Sequence, residues 1–192
     1  MQARFTRLLI VFLAVTMPAA MRGQSTALES TITIHVGKSG LFSGFGHTHT
    51  VVAPVAQAEI DPARMTATII VLTRQMKVAD KDVSEKDRTQ IQADMLGPKV
   101  LDAEKFPQIR FTSSRIEQTS DQHYRVSGIL ELHGVRKELS FAAAGGPQHY
   151  TGTTKLKQTD FGIQPFSAGG GTVRVKDEIE LTFDIYSQST GR

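Results

Sequence analysis

The chain contains no cysteine, which excludes disulfides, thiol catalysis and thiolate-ligated metals or clusters. Any core it builds must hold by packing alone. It contains no asparagine either, so there is no N-glycosylation acceptor, and its turns rest on glycine, aspartate and proline. The usual catalytic signatures are missing: there is no G-x-S-x-G elbow, no Walker loop and no H-E-x-x-H. Runs of like charge, internal repeats and low-complexity stretches are missing too.

The N-terminus has the composition of an export signal. Arg4 and Arg7 precede the apolar run Leu8 to Met17, and "PAAMRGQ" follows. The run is too short for a spanning helix, which needs about 20 apolar residues. A cleaved signal peptide is therefore expected over 1–23, with the cut between 20 and 24 and a periplasmic or secreted destination. Residues 24–192 then suit a single domain with one core and no membrane span. The leader holds Arg4, Arg7 and Arg22 and no acid, so removing three of the 22 basic residues leaves 19 against 19 acidic ones. A near-neutral chain loses the main support for nucleic-acid binding.

What is present is period two. "TITIHV" sets Ile32, Ile34 and Val36 against Thr31, Thr33 and His35. "YRVSGILEL" alternates Tyr124, Val126, Gly128, Leu130 and Leu132 with mostly polar partners, and "EIELTFDIY" alternates Ile179, Leu181, Phe183 and Ile185 with polar ones. These read as half-buried antiparallel strands. Further strands are expected at 47–53, 55–60, 66–73, 109–117, 135–143, 150–158 and 172–176. One polar stretch breaks the rhythm: Ser84 followed by Asp87 resembles a capping box, and Gly97-Pro98 is a stop, so a helix is predicted over about 84–96. A short turn around Val100 and Leu101 is expected after it. The fold class is all-β, an antiparallel barrel of about eight strands with that helix inserted, because closure removes exposed edges.

Polar candidates are few. "SAGGGTV" runs into a strand pattern instead of a helix, so it offers no phosphate cradle and reads as a turn. Asp160 has no sequence partner for acid–base work and reads as a turn residue. His133 reads as a histidine fixing a turn, and His35, His123 and His149 as solvated. His47 and His49 stand out: residues i and i+2 of a strand share a face about 6.6 Å apart, and both could reach one divalent ion at about 2.1 Å. Zinc needs at least three protein ligands, and only the fold could supply His133, His35 or Glu59. The alternative is that the pair lines a barrel rim as hydrogen-bonding residues.

Three segments carry a resemblance. "IQADMLGPKVLDAEKFPQIRFTSS", "SGILELHGVRKELSF", and "TDFGI" followed by "VKDEIELTFDI" resemble, in order, segments of the YceI family of exported lipid-binding proteins. The resemblance covers about 30–186 and implies a lipocalin-like barrel with no catalytic step. It would hold a hydrophobic small molecule, a long-chain amphiphile such as a polyisoprenoid or isoprenoid quinone. No cofactor is required on this reading, and a homodimer is left open. Lining candidates are the apolar faces above, among them Leu130, Leu132 and Phe183. Phe42, Phe45, Ile70, Leu72, Phe111, Phe141, Phe161 and Ile163 join them. Many family members carry one histidine in the N-terminal third and then a strand with G-x-F; this chain has two histidines and "VAPVAQAEID". Periodicity alone leaves open whether such a barrel is hollow or filled.

Overall fold

The computed structural model describes residues 29–39, 48–168 and 173–187. The predicted leader 1–23, Phe42, Phe45, His47 and most of the glycine-rich stretch lie outside the described residues. Among these residues ten strands form: β1 Thr31–Ser39, β2 His49–Asp61, β3 Thr66–Leu72, β4 Lys77–Val78, β5 Gln108–Ser120, β6 His123–Leu132, β7 Val135–Gly146, β8 His149–Lys157, β9 Ser167–Ala168 and β10 Val173–Tyr186. The helix α1 spans Glu85–Leu96.

Eight of these strands close into an antiparallel barrel. The ladder runs β1-β10-β8-β7-β6-β5-β3-β2, and β2 pairs back onto β1, Ile34 lying opposite Val51. The short β4 and β9 add to β2 and β10. Register shifts that place extra residues in β10, β2 and β5 mark bulges, which bend long strands enough to close a sheet of this size.

Two pairs of expected strands are each one continuous strand. The segments 47–53 and 55–60 join in β2 through Pro54. Val55 N–H donates to Ser30 O at 2.9 Å on the β1 edge, so Pro54 turns its missing donor to the other edge. There it falls between Val51–Val52, paired with β4, and Val55, where β3 begins, and no ladder bond is lost. Segments 172–176 and 178–186 likewise join in β10.

Asp177, at that junction, clasps the 3-10 turn Gln158–Phe161. Its carboxylate accepts from Thr159 N at 2.9 Å and Thr159 Oγ1 at 2.7 Å. The Thr159 backbone bond, then its side-chain bond, hold the Asp177 carboxyl below the ordinary range. A lowered folded pKa contributes stability above the unfolded pKa of about 3.9, lost as pH falls through the folded value. Melting curves should show the gap between wild type and Asp177→Asn at neutral pH closing as pH drops below about 4; a gap independent of pH would refute this role.

The helix is capped as the sequence indicates, with one difference. Ser84 Oγ accepts from Asp87 N at 3.1 Å, but it also donates to Asp87 Oδ2 at 2.7 Å, so the acid reaches the hydroxyl and not the N-cap amide. No helix residue is fully buried, and only Ile91, Met95 and Leu96 pack on the core. Polar bonds complete the docking. Gln92 accepts from Val78 N and donates to Met76 O, both at 2.8 Å, satisfying strand β4 much as another strand would. Arg88 Nε donates to Asp80 O at 3.0 Å. The expected turn at Val100 and Leu101 follows, with Leu101 driven into the core.

Strand directions give the barrel two ends. At one lie the tight connections 62–65, 121–122 and 147–148; at the other lie α1, the 133–134 turn and the 158–166 segment. The second is the helix end, and the buried cluster there includes Leu101, Leu132, Leu156, Phe161 and Ile163.

Candidate functional site

Period two sends alternate residues of all eight strands inward, and at the hairpin end they do not meet. They leave a cavity of about 270 Å³. Its walls are Ile32 of β1, Ile60 of β2, Ala67 and Ile69 of β3, Ile116 of β5, Val126 of β6, Leu139 and Ala143 of β7, and Leu181 and Ile185 of β10. The barrel is thus hollow at one end and filled at the other, which resolves the alternative that periodicity leaves open.

A row of rings forms the waist. Phe111 and Phe141 centroids are 5.3 Å apart at 55°, and Phe141 and Phe183 are 5.3 Å apart at 66°. Tilted geometry of this kind is favourable beyond burial alone. Two glycines make room for it. A Cβ on Gly128 would stand 2.6 Å from Phe111 Cζ, and one on Gly152 would stand 2.3 Å from Phe183 Cζ. The outer rings lie over the neighbouring strand where side chains are missing.

Polar groups gather toward the mouth. Asp61, Gln118, Tyr124 and Tyr150 line it there, with Thr154 deeper on β8; among the described residues no lysine or arginine lines the cavity, and Arg64 pairs with Asp61 at 3.5 Å. The rings of Tyr124 and Tyr150 meet edge to face at 5.9 Å. Burial, and secondarily Tyr124, push the Tyr150 phenol above its ordinary value, so it stays protonated at neutral pH as a hydrogen-bond donor. Asp61 accepts from Arg64 N at 3.0 Å within the β2–β3 turn.

The expected lining residues divide between the two halves. Phe111, Leu130, Phe141 and Phe183 face the cavity. Leu132, Phe161 and Ile163 do not line it and fill the helix end, continuous with the same buried cluster as Phe111 and Leu130. Ile70 and Leu72 alternate with Ile69 and Val71 and do not line the cavity, although Ile70 is buried; four apolar residues in succession in "TATIIVL" hide the phase of the strand. Met65, Ile116, Gln118 and Tyr150 were not singled out. The bulge between Ser113 and Arg115 shifts the phase of β5, and only the hairpin turn places Met65.

His49 is not at the mouth. It opens β2 at the helix end, whereas β2 reaches the cavity with Ile60 and Asp61, roughly 36 Å further along the strand. Its Nδ1 donates to Asp80 Oδ2 at 2.6 Å, and Thr50 N donates to Asp80 Oδ1 at 2.7 Å. Asp80 is buried, with a side chain 3% exposed. Of the other suggested ligands, His35 neighbours His49 in the ladder but on the opposite face. His133 contacts Phe106 and bonds Phe161 O at 3.3 Å, holding its turn, while Glu59 bonds Gln57. Among the described residues, no group of three or more His, Asp or Glu converges. His149 keeps a side chain 43% exposed, as expected, and in addition bonds Asp184 at 2.7 Å and stacks on Tyr186 at 4.3 Å. Asp160, as a turn residue, pairs with Lys137 at 3.0 Å.

Comparison with known proteins gives this geometry a context. A Vibrio cholerae serotype O1 protein of the UPF0312 group is 31% identical over 118 residues, covering 56% of this chain and 60% of its own. A Pseudomonas putida member of that group is 31% identical over 107 residues, covering 50% and 53%. This chain thus spans little more than half the length of those relatives. Among solved structures, Burkholderia cenocepacia BcnA superposes with a TM-score of 0.63 at 19% identity, over 83% of this chain and 96% of its own. A polyisoprenoid binding domain from Saccharophagus degradans superposes with a TM-score of 0.50 at 12% identity, over 82% and 96%. The YceI-like domain matches residues 20–186, from the segment ahead of β1 to the last residue of β10, and by that match the chain belongs to the YceI family.

Proposed function

We propose that this protein is an exported carrier that encloses the apolar chain of an amphiphilic lipid in its barrel. The observation that carries the reading is the cavity of about 270 Å³ with mostly apolar walls, its polar groups lying toward the mouth apart from Thr154 deeper on β8. Each buried methylene contributes about 0.8 kcal/mol, so roughly ten contribute about 8 kcal/mol before association costs. Such a ligand needs no built chemistry beyond a few hydrogen bonds, and the proposal includes no catalytic step. The Tyr150 phenol, Gln118 and the Asp61 carboxylate, with no lysine or arginine among the described lining residues and Arg64 already paired with Asp61 at 3.5 Å, favour an uncharged hydroxyl or carbonyl headgroup over a phosphate. An isoprenoid alcohol or isoprenoid quinone meets that description, and the Saccharophagus degradans domain is described as polyisoprenoid binding. The basic and apolar leader supports a periplasmic or secreted location.

Native mass spectrometry of the purified full chain tests the reading. The expected result is a lipid-sized adduct, removed by organic extraction and restored by incubation with a prenol. A bare mass that no prenol or quinone changes would overturn the carrier. A mass of the chain plus one metal ion, lost in His49→Ala, would favour metal binding instead.

A further inference from the structure

A carrier is specified by the length of chain that it accepts, and here the structure supplies a floor. The buried cluster of the helix end, with Leu101, Leu132, Leu156, Phe161 and Ile163, closes the barrel below the cavity. On β6 the lining runs from Tyr124 to Leu130, and the next inward residue, Leu132, already belongs to the filled half. Six residue steps span roughly 20 Å of strand, or about 15 Å along the axis of a barrel tilted near 40°. An apolar cavity of 150 Å³ holds benzene, about 25 Å³ per carbon. By that measure 270 Å³ holds about eleven carbons.

We infer that the barrel accepts about ten carbons of an apolar chain, with the filled helix end as the stop and the Phe111–Phe141–Phe183 row as the wall beside it. This rests on the carrier reading and restricts it. A polyisoprenoid enters by about two isoprene units, and anything longer remains outside the mouth, where it gains nothing from burial. The ligand matched to the whole cavity is therefore a medium-chain amphiphile with an uncharged head.

Two substitutions move the limit in opposite directions. Phe141 is partly buried and central to the row, touching both other rings, so Phe141→Ala removes a six-carbon ring from the wall. Ala143, also on β7 and lining the cavity, is 7% exposed; Ala143→Leu inserts three carbons.

The test is competition of primary alcohols from six to twenty carbons, and of prenols of ten, fifteen and twenty carbons, against a fluorescent apolar probe on the full chain. Affinity should rise about fourfold per methylene up to about ten carbons and then stay flat. The break should move to longer chains in Phe141→Ala and to shorter ones in Ala143→Leu, with folding of both checked by circular dichroism. A rise continuing beyond about fourteen carbons in the wild type overturns the limit while leaving the carrier intact. A break that neither folded variant moves also overturns it. Failure of every alcohol and prenol to bind removes the carrier reading itself. The wild-type series decides the limit even where a variant does not fold.

Discussion

Gly128→Ala is expected to destabilise the protein by about 3 kcal/mol, through overpacking against atoms that cannot retreat. The added Cβ would stand 2.3 Å from Thr112 O and 2.8 Å from Ser113 Cα, both backbone atoms of β5, and 2.6 Å from the Phe111 ring. Rotation of Phe111 could relieve only the last, and would break the ring row that lines the cavity. The backbone contacts persist unless β5 and β6 move apart, with loss of ladder bonds around Ser113 and Gly128. At about 2–4 °C per kcal/mol for a domain of this size, the melting temperature should fall by about 6–12 °C. Gly146→Ala is the control. A Cβ there meets nothing within 4 Å, so that substitution should fall within about 1 kcal/mol of wild type and on the stabilising side. Equal effects of the two would show that close approach at Gly128 is not the cause.

Asp80→Ala should destabilise by about 2–3 kcal/mol, the cost of removing a charged acceptor from buried partners. Both carboxylate oxygens are engaged, one by His49 Nδ1 and one by Thr50 N. The neighbouring Asp80 O accepts from Arg88 Nε, so this residue joins the start of β2 to the segment leading into α1. Alanine leaves the Thr50 amide without its acceptor in a part-buried place. Asp80→Asn keeps an oxygen for Thr50 and an amide donor for the other His49 tautomer, and should recover most of the loss. Denaturant unfolding distinguishes the pair. If asparagine proves as damaging as alanine, the charge itself matters, and not the hydrogen-bond geometry. Neither substitution touches the cavity, so alcohol binding by the folded fraction should be unchanged.

Much of the fold was legible in local pattern. The alternation in β1, β6 and β10 identifies inward faces, since a one-residue slip would turn every apolar side chain to solvent. Ser84 and Gly97 mark the helix ends because capping is a local matter between a side chain and an adjacent amide. Pattern fails where two apolar residues are neighbours, as at Ile69-Ile70, or where a bulge resets the phase, as between Ser113 and Arg115. His49 shows another limit. Its spacing to His47 is visible, but its partner Asp80 is separated from it by most of β2, all of β3, the turn beyond and β4.

By itself, then, the sequence determined a cysteine-free, antiparallel all-β domain with one capped helix, and much of its inward-facing residue set, because periodicity, propensity and capping act over a few residues. Only the tertiary structure decided which inward residues meet and which stand apart. Leu130 and Leu132 are two positions apart on one face of one strand and both belong to the buried cluster, yet only Leu130 also borders the cavity. The difference lies in what arrives from elsewhere: Leu101 from the segment after α1, and Phe161 and Ile163 from the segment after β8, fill the helix end, and the short hairpins bring nothing comparable to the other.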